Sequence, residues 1–453
     1  MKKLSCILFI CWSISLIGQV DNFPKGKIID SVSVGEGSRD TFSLYLPSQF
    51  SLNEQSSIVF IFEPAARGKV GITPFIKAAE TYNYILVCSN DSKNGPYQRN
   101  FDISNRLFNK IFAEFNIDKK RIYTAGFSGG SRLATTIAIL TKKIQGVIAC
   151  GAGMSKISSH LPFNETFSYV GIVGDEDMNF SEMNENKIFL KKLNIKNQLF
   201  IYEMNHKWPS QEQILNAFDW LQLEAYKKRL ITIDSVLIKN IYNNFYKDAI
   251  KFQNENKLYH ATEIYRMMKT NFKEYFLVDS LNISLKNLEH KSAYKKELTE
   301  LKNSLIDEKK YTRTFVTKFY DDLKKKKPKI KWWSIAINKL ERKDSNSFKQ
   351  KMINRLLFKI YAMAFESVNV QMITENIDHA IFCYDICLTI YPKNSNLYFK
   401  QAENYILKEK PEQALDYLEK LINSGYSNIK AIKENKTFES LKTNARFVKL
   451  TKA

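Results

Sequence analysis

The feature that most constrains this chain is an alternation that starts near residue 25 and stops near residue 228. Short apolar runs, at Ile58–Phe62, Ile85–Cys88, Val147–Ala149, Tyr169–Val173 and Leu199–Tyr202, are separated by stretches with helical spacing. Runs this short and this continuous suit strands buried on both faces, which are strands of a parallel sheet covered by helices. A further run, Arg121–Ala125, precedes a helical stretch from Ser131 to Leu140. Ahead of all these, Lys27–Ile29 and Thr41–Pro47 alternate as two strands of a hairpin do. The expected fold class for residues 25–228 is therefore α/β with a mostly parallel sheet.

Beyond residue 228 the strand-like runs end, and residues 229–453 read as successive amphipathic helices with Lys/Glu faces. Charge changes at the same point. Residues 19–228 hold 24 basic and 21 acidic side chains, whereas residues 229–453 hold 42 and 26. Such asymmetry marks either contact with anionic polymers or membrane surfaces, or simply well-solvated helical faces, and the residues favour the solvated faces. No nucleic-acid-binding motif accompanies the charge, so no nucleic-acid partner is expected.

Near the C-terminus, Ala380, Tyr384, Cys387 and Pro392 have the offsets of a tetratricopeptide unit. Ala414, Leu418 and Leu421 repeat them 34 residues on. Tyr398, Ala402 and Tyr405 fill the first helix of that second unit, which places repeats near 378–426. Residues Phe245 to Met268 fit the same template more loosely. Cys383 and Cys387 fall at packing positions of the repeat and read as core rather than as metal ligands. No metal or cofactor motif is present elsewhere in the sequence.

Lys2, Lys3 and the apolar run Leu4–Ile17, followed by Gly18, have the form of a secretory signal over residues 1–18. The expected mature protein is exported, with no transmembrane span.

The chemistry centres on Gly126-Phe127-Ser128-Gly129-Gly130, set between an expected strand and an expected helix. This is the nucleophile elbow, whose glycines clear space around a serine on a strained turn. A serine hydroxyl needs a base and an orienting acid, which follow it in the order acid, then histidine. Of the two histidines in the α/β half, His160 precedes any acid after the Tyr169–Val173 strand. His206, in Asn205-His206-Lys207-Trp208-Pro209, follows the last strand. For the acid, the strand Tyr169–Val173 runs into Gly174-Asp175-Glu176-Asp177. The G-x-x-D spacing selects Asp177, with Asp175 and Glu176 as alternatives. An oxyanion requires two N–H donors. Gly129 is one. The other falls in the turn Glu63-Pro64-Ala65-Ala66-Arg67-Gly68, where Pro64 has no N–H and Ala65 or Ala66 is expected to donate.

These residues resemble the α/β-hydrolase family, in particular secreted serine esterases of the dienelactone-hydrolase and polyhydroxybutyrate-depolymerase-like groups. The resemblance rests on Gly126–Gly130, the Gly174–Asp177 turn and the His206–Pro209 loop, and covers residues 25–228. It implies Ser128 as nucleophile, His206 as general base and Asp177 as orienter. The strand order that the resemblance implies puts Cys88 and Cys150 on strands three spacings apart, about 14 Å, too far for a disulfide. The chain departs from the family where Glu63-Pro64 replaces the His-Gly pair common after the third strand. The resemblance implies an ester hydrolase. With no insertion for a cap, the expected substrates extend to bulky or carbohydrate-linked esters. The helical repeats are expected to bind a protein partner, and residues 19–228 to suffice for chemistry. A serine peptidase with the same triad, and a binding scaffold with an inactive hydrolase fold, stand as the alternatives.

Overall fold

The structure, a computed structural model, describes residues 23–452 apart from 36 and 341–346. The expected signal segment, with Cys6 and Cys11, lies outside the described residues. The chain forms two compact units that meet in sequence at Lys286 and Asn287.

The first unit is built on an eight-stranded sheet. Its strands are β1 (Ile28–Ser33), β2 (Thr41–Tyr45), β3 (Ser56–Phe62), β4 (Tyr84–Ser89), β5 (Ile117–Phe127), β6 (Gly146–Cys150), β7 (Ser168–Gly174) and β8 (Asn197–Tyr202). Their order is β1-β2-β4-β3-β5-β6-β7-β8. Strand β2 is antiparallel to β1 and β4, and every pairing from β4 to β8 is parallel. All residues of β3, β4, β6 and β7 are buried, as strands covered on both faces must be. Cys88 in β4 and Cys150 in β6 are separated by β3 and β5, and both thiols are free.

Helices α1 (Gly68–Ile72) and α2 (Ile76–Tyr82) connect β3 to β4, and α3 (Tyr97–Glu114) connects β4 to β5. Then α4 (Gly129–Thr141) leads to β6, α5 (Phe180–Lys192) joins β7 to β8, and α6 (Gln211–Lys227) follows β8. Helix α6 starts at a capping box between Ser210 and Gln213. Its Ile214, Ala217, Phe218 and Leu221 form one buried stripe, spaced to face a sheet.

The first unit does not end at 228. Helices α7 (Ser235–Asn254) and α8 (Leu258–Phe272) belong to it. Phe245 of α7 stacks on Phe200 of β8 at 5.8 Å, and Asp248 accepts a hydrogen bond from Asn216 of α6 at 3.1 Å. Glu263 of α8 pairs with Lys187 of α5 at 2.7 Å. Strand β8 ends the sheet, and its apolar side chains need a cover that the first 228 residues do not supply. The loose repeat-like pattern of Phe245 to Met268 serves this cover.

After α9 (Asp279–His290), the second unit is helical: α10 (Ser292–Leu323), α11 (Lys331–Asn338), α12 (Phe348–Ile373), α13 (Ile377–Ile390), α14 (Ser395–Leu407), α15 (Pro411–Asn423), α16 (Ile429–Glu434) and α17 (Ala445–Leu450). One core gathers Phe319, Trp333, Leu356, Phe382, Cys383 and Cys387, so both cysteines are core residues. A second gathers Ala402, Ala414, Leu418, Leu421, Phe438 and Phe447. Ala380 and Ala414, 34 residues apart, are both fully buried where α13 and α15 pack on their neighbours. Among the described residues no helix is long and apolar enough to cross a membrane.

Candidate active site

Ser128 stands alone between β5 and α4, at φ 52° and ψ −120°. That conformation is strained for a residue with a side chain, by about 1–3 kcal/mol, and such strain persists only where the surroundings enforce it. Here they do. The Ser128 N–H donates to the Cys150 carbonyl at 2.8 Å. A Cβ on Gly126 would lie 2.3 Å from the Gly130 carbonyl, and one on Gly130 would lie 2.0 Å from the Phe62 carbonyl oxygen. The two outer glycines of the motif are thus what lets the turn close against itself and against the end of β3.

His206 arrives from the loop after β8. Its Nε2 is 3.0 Å from Ser128 Oγ, and its Nδ1 is 2.9 Å from Asp177 Oδ2. The imidazole packs against the Phe127 ring at 4.6 Å, which holds its plane. Asp177 is fully buried, and its other oxygen accepts the Asn179 N–H at 2.8 Å. The turn that presents it needs Gly174, where a Cβ would stand 1.8 Å from the Met204 carbonyl oxygen.

Of the three carboxylates after β7, Asp177 is the one placed on His206. Asp175 is turned toward α8, where its Oδ2 lies 3.7 Å from His260 Nε2. Glu176 is half-buried, and its N–H donates to the Met204 carbonyl. His160 lies with Ser155 and packs edge-on against Tyr97 at 4.7 Å, where burial lowers its pKa.

The turn after β3 departs from expectation. Glu63 is buried and accepts the Ala65 N–H at 2.7 Å and the Arg67 N–H at 3.1 Å on one carboxylate oxygen, while Arg67 binds the other. The Ala66 N–H donates to the Glu63 carbonyl at 3.1 Å. Neither Ala65 nor Ala66 therefore has a free amide N–H: the Glu63 carboxylate takes the first and the Glu63 carbonyl the second. Gly129 opens α4, so its N–H has no helical partner. The residue against it is Asn94, whose carboxamide oxygen would be 1.8 Å from a Gly129 Cβ. A cavity of about 90 Å³ opens there, lined by Glu63, Pro64, Asn94, Gly129 and Leu133. Sequence reasoning missed Glu63, Asn94 and His260. Only Glu63 carried a signal, in the acid–Arg spacing of four that it shares with Arg67.

The sheet order, with β2 alone antiparallel to the other seven strands, the elbow after β5, and an acid and a histidine after β7 and β8, defines an α/β-hydrolase fold followed by an all-α region. Solved structures with this fold align with the chain. The S-formylglutathione hydrolase of Staphylococcus aureus is 13% identical, with 43% of this chain and 95% of that one covered, at a TM-score of 0.36. An esterase of Pyrobaculum calidifontis is 12% identical, covering 45% and 87%, at 0.38. The feruloyl esterase module of Clostridium thermocellum is 13% identical, covering 42% and 86%, at 0.34. No family model matches the chain, and no curated protein matches its sequence.

Proposed function

We propose that this protein is an exported serine hydrolase that cleaves carboxylic esters through an acyl-enzyme. The observation that carries the reading is the unbroken relay from Ser128 Oγ through His206 to buried Asp177, at 3.0 and 2.9 Å. In this reading His206 Nε2 takes the hydroxyl proton as Ser128 Oγ attacks the ester carbonyl. Asp177 fixes the tautomer that leaves Nε2 free to accept, and stabilises the imidazolium that forms. The tetrahedral oxyanion is held by the Gly129 N–H and by the NH2 group of the neighbouring Asn94 carboxamide, which donates in place of the amides that Glu63 occupies. Collapse breaks the ester C–O bond, and the alcohol leaves with the proton from His206. A water molecule, deprotonated by the same imidazole, then releases the acid. No long insertion separates the last strand, which ends at Tyr202, from His206, and this suits bulky or carbohydrate-linked esters.

The test is burst kinetics on a p-nitrophenyl ester with fluorophosphonate labelling. Ser128→Ala and His206→Ala should each lower turnover by several orders of magnitude, with the double variant little worse, and Asp177→Asn by on the order of a thousandfold or more. Asn94→Ala should lower kcat roughly a hundredfold with KM unchanged. Label on any residue other than Ser128, or full turnover in Ser128→Ala, would overturn the hydrolase reading. Faster cleavage of peptide amides than of esters would replace the esterase with a peptidase.

A further inference from the structure

Six of the eight residues from 324 to 331 are lysine, in the sequence Lys324-Lys325-Lys326-Lys327-Pro328-Lys329-Ile330-Lys331. The segment links α10 to α11 and borders an open groove of about 570 Å³. The charge is only partly neutralised within the second unit. Asp321 pairs with Lys324 at 2.9 Å, and buried Asp322 takes Lys325, Lys318 and the Trp333 indole N–H. Asp378, which Lys327 helps to keep ionised, is held by Lys408. Lys326, Lys327, Lys329 and Lys331 are exposed and make no ion pair among the described residues.

Helix α11 divides its apolar residues between two faces. Trp333 and Ile337 are buried in the core, while Trp332 and Ile335, three residues apart, point outward at 36% and 49% exposure. The Trp332 ring is not an open platform. The Lys318 ammonium stands over it at 5.2 Å, and Phe315 packs against it at 5.5 Å. A base or sugar ring that needs a bare indole face is poorly served. An indole edge and an isoleucine beside unpaired lysines fit a different target, the headgroup boundary of a bilayer, where aromatic and aliphatic side chains insert while lysines meet anionic lipids.

We propose that this groove docks the second unit on an anionic phospholipid surface, with Lys327, Lys329 and Lys331 on the headgroups and Trp332 and Ile335 at the acyl boundary. The proposal stands apart from the hydrolase reading and concerns a surface of the helical unit alone.

The full chain is sedimented with vesicles of mixed phosphatidylglycerol and phosphatidylcholine, and with phosphatidylcholine alone, at low and high salt. Binding should require phosphatidylglycerol and weaken with salt. Each lysine near the surface is worth roughly a fivefold gain in partitioning, so Lys327→Gln/Lys329→Gln/Lys331→Gln should lose on the order of a hundredfold. Removing the same charge from exposed α10 positions, in Lys295→Gln/Lys296→Gln/Lys302→Gln, should cost less than a tenth of that. Ile335→Ser should weaken binding severalfold while leaving its salt dependence intact, with circular dichroism showing that each variant is folded. Equal losses in the two triple variants would overturn the site. Binding that Ile335→Ser leaves unchanged, with equal affinity for soluble polyphosphate, would overturn the lipid in favour of a soluble polyanion.

Discussion

Replacing Glu63 by glutamine tests whether a buried carboxylate organises the loop beside the nucleophile. Glu63 is 1% exposed and accepts two backbone N–H groups, from Ala65 at 2.7 Å and Arg67 at 3.1 Å, as well as the Arg67 guanidinium. The guanidinium side is wet, because the Arg67 side chain is 58% exposed, so the ion pair itself contributes little. The two amide bonds are different. They are charge-assisted and buried at the carboxylate end, each worth roughly 1.5–3 kcal/mol. Glutamine keeps the shape but has only one acceptor oxygen. Its NH2 group must face either the two amides or Arg67, and both are donors. A loss of about 3 kcal/mol follows, which in a unit of this size lowers Tm by on the order of 6–12 °C. The loop carries Pro64, which lines the cavity next to Gly129 and takes the Asn94 N–H on its carbonyl at 2.8 Å. Turnover of a small ester should therefore fall at least tenfold while Ser128 is still labelled. Calorimetry and burst kinetics on the same samples provide the check. A Glu63→Gln protein as stable and as active as the parent would refute the argument that this acid consumes the loop's donors.

Two further outcomes follow from the packing. A chain of residues 19–286 should fold and match the full chain in any hydrolase activity, whereas one of residues 19–228 should lose about 3–5 kcal/mol from exposed Phe200 and its lost cover, together with the His260 contact to Asp175; equal melting temperatures for the two chains would show that α7 and α8 are not part of the first unit. Asp385, half-buried in α13 with Gln401 at 2.7 Å and Tyr417 at 3.1 Å, has its pKa raised to about 6, chiefly by desolvation. The folded state then holds a proton that the unfolded chain releases near 4, so stability falls as pH rises from about 4 to 6, by about 3 kcal/mol. Asp385→Asn should stabilise the second unit above pH 6 and do nothing at pH 4, and a gain independent of pH in denaturant titrations would contradict this.

The strands, the elbow and the order of acid and histidine were legible in the sequence because each is a local matter. Continuous apolar runs such as Ile58–Phe62 report burial on both faces, and Gly126 and Gly130 report a turn with no room for a Cβ. The choice among Asp175, Glu176 and Asp177 narrowed to a spacing, since all three sit on one turn, and only the direction of each side chain separates them. What the sequence could not decide was who takes which partner across long separations. The extent of the first unit depended on whether the apolar faces of α7 and α8 met β8 or one another, and an amphipathic pattern states that a face is buried without stating against what. The turn after β3 shows the same limit. Counting N–H groups in Glu63–Gly68 identifies donors, but whether Ala65 is free depends on where the Glu63 side chain turns, and Ala66 is taken by the Glu63 backbone carbonyl. Tertiary packing turned the side chain inward, onto the Ala65 and Arg67 amides.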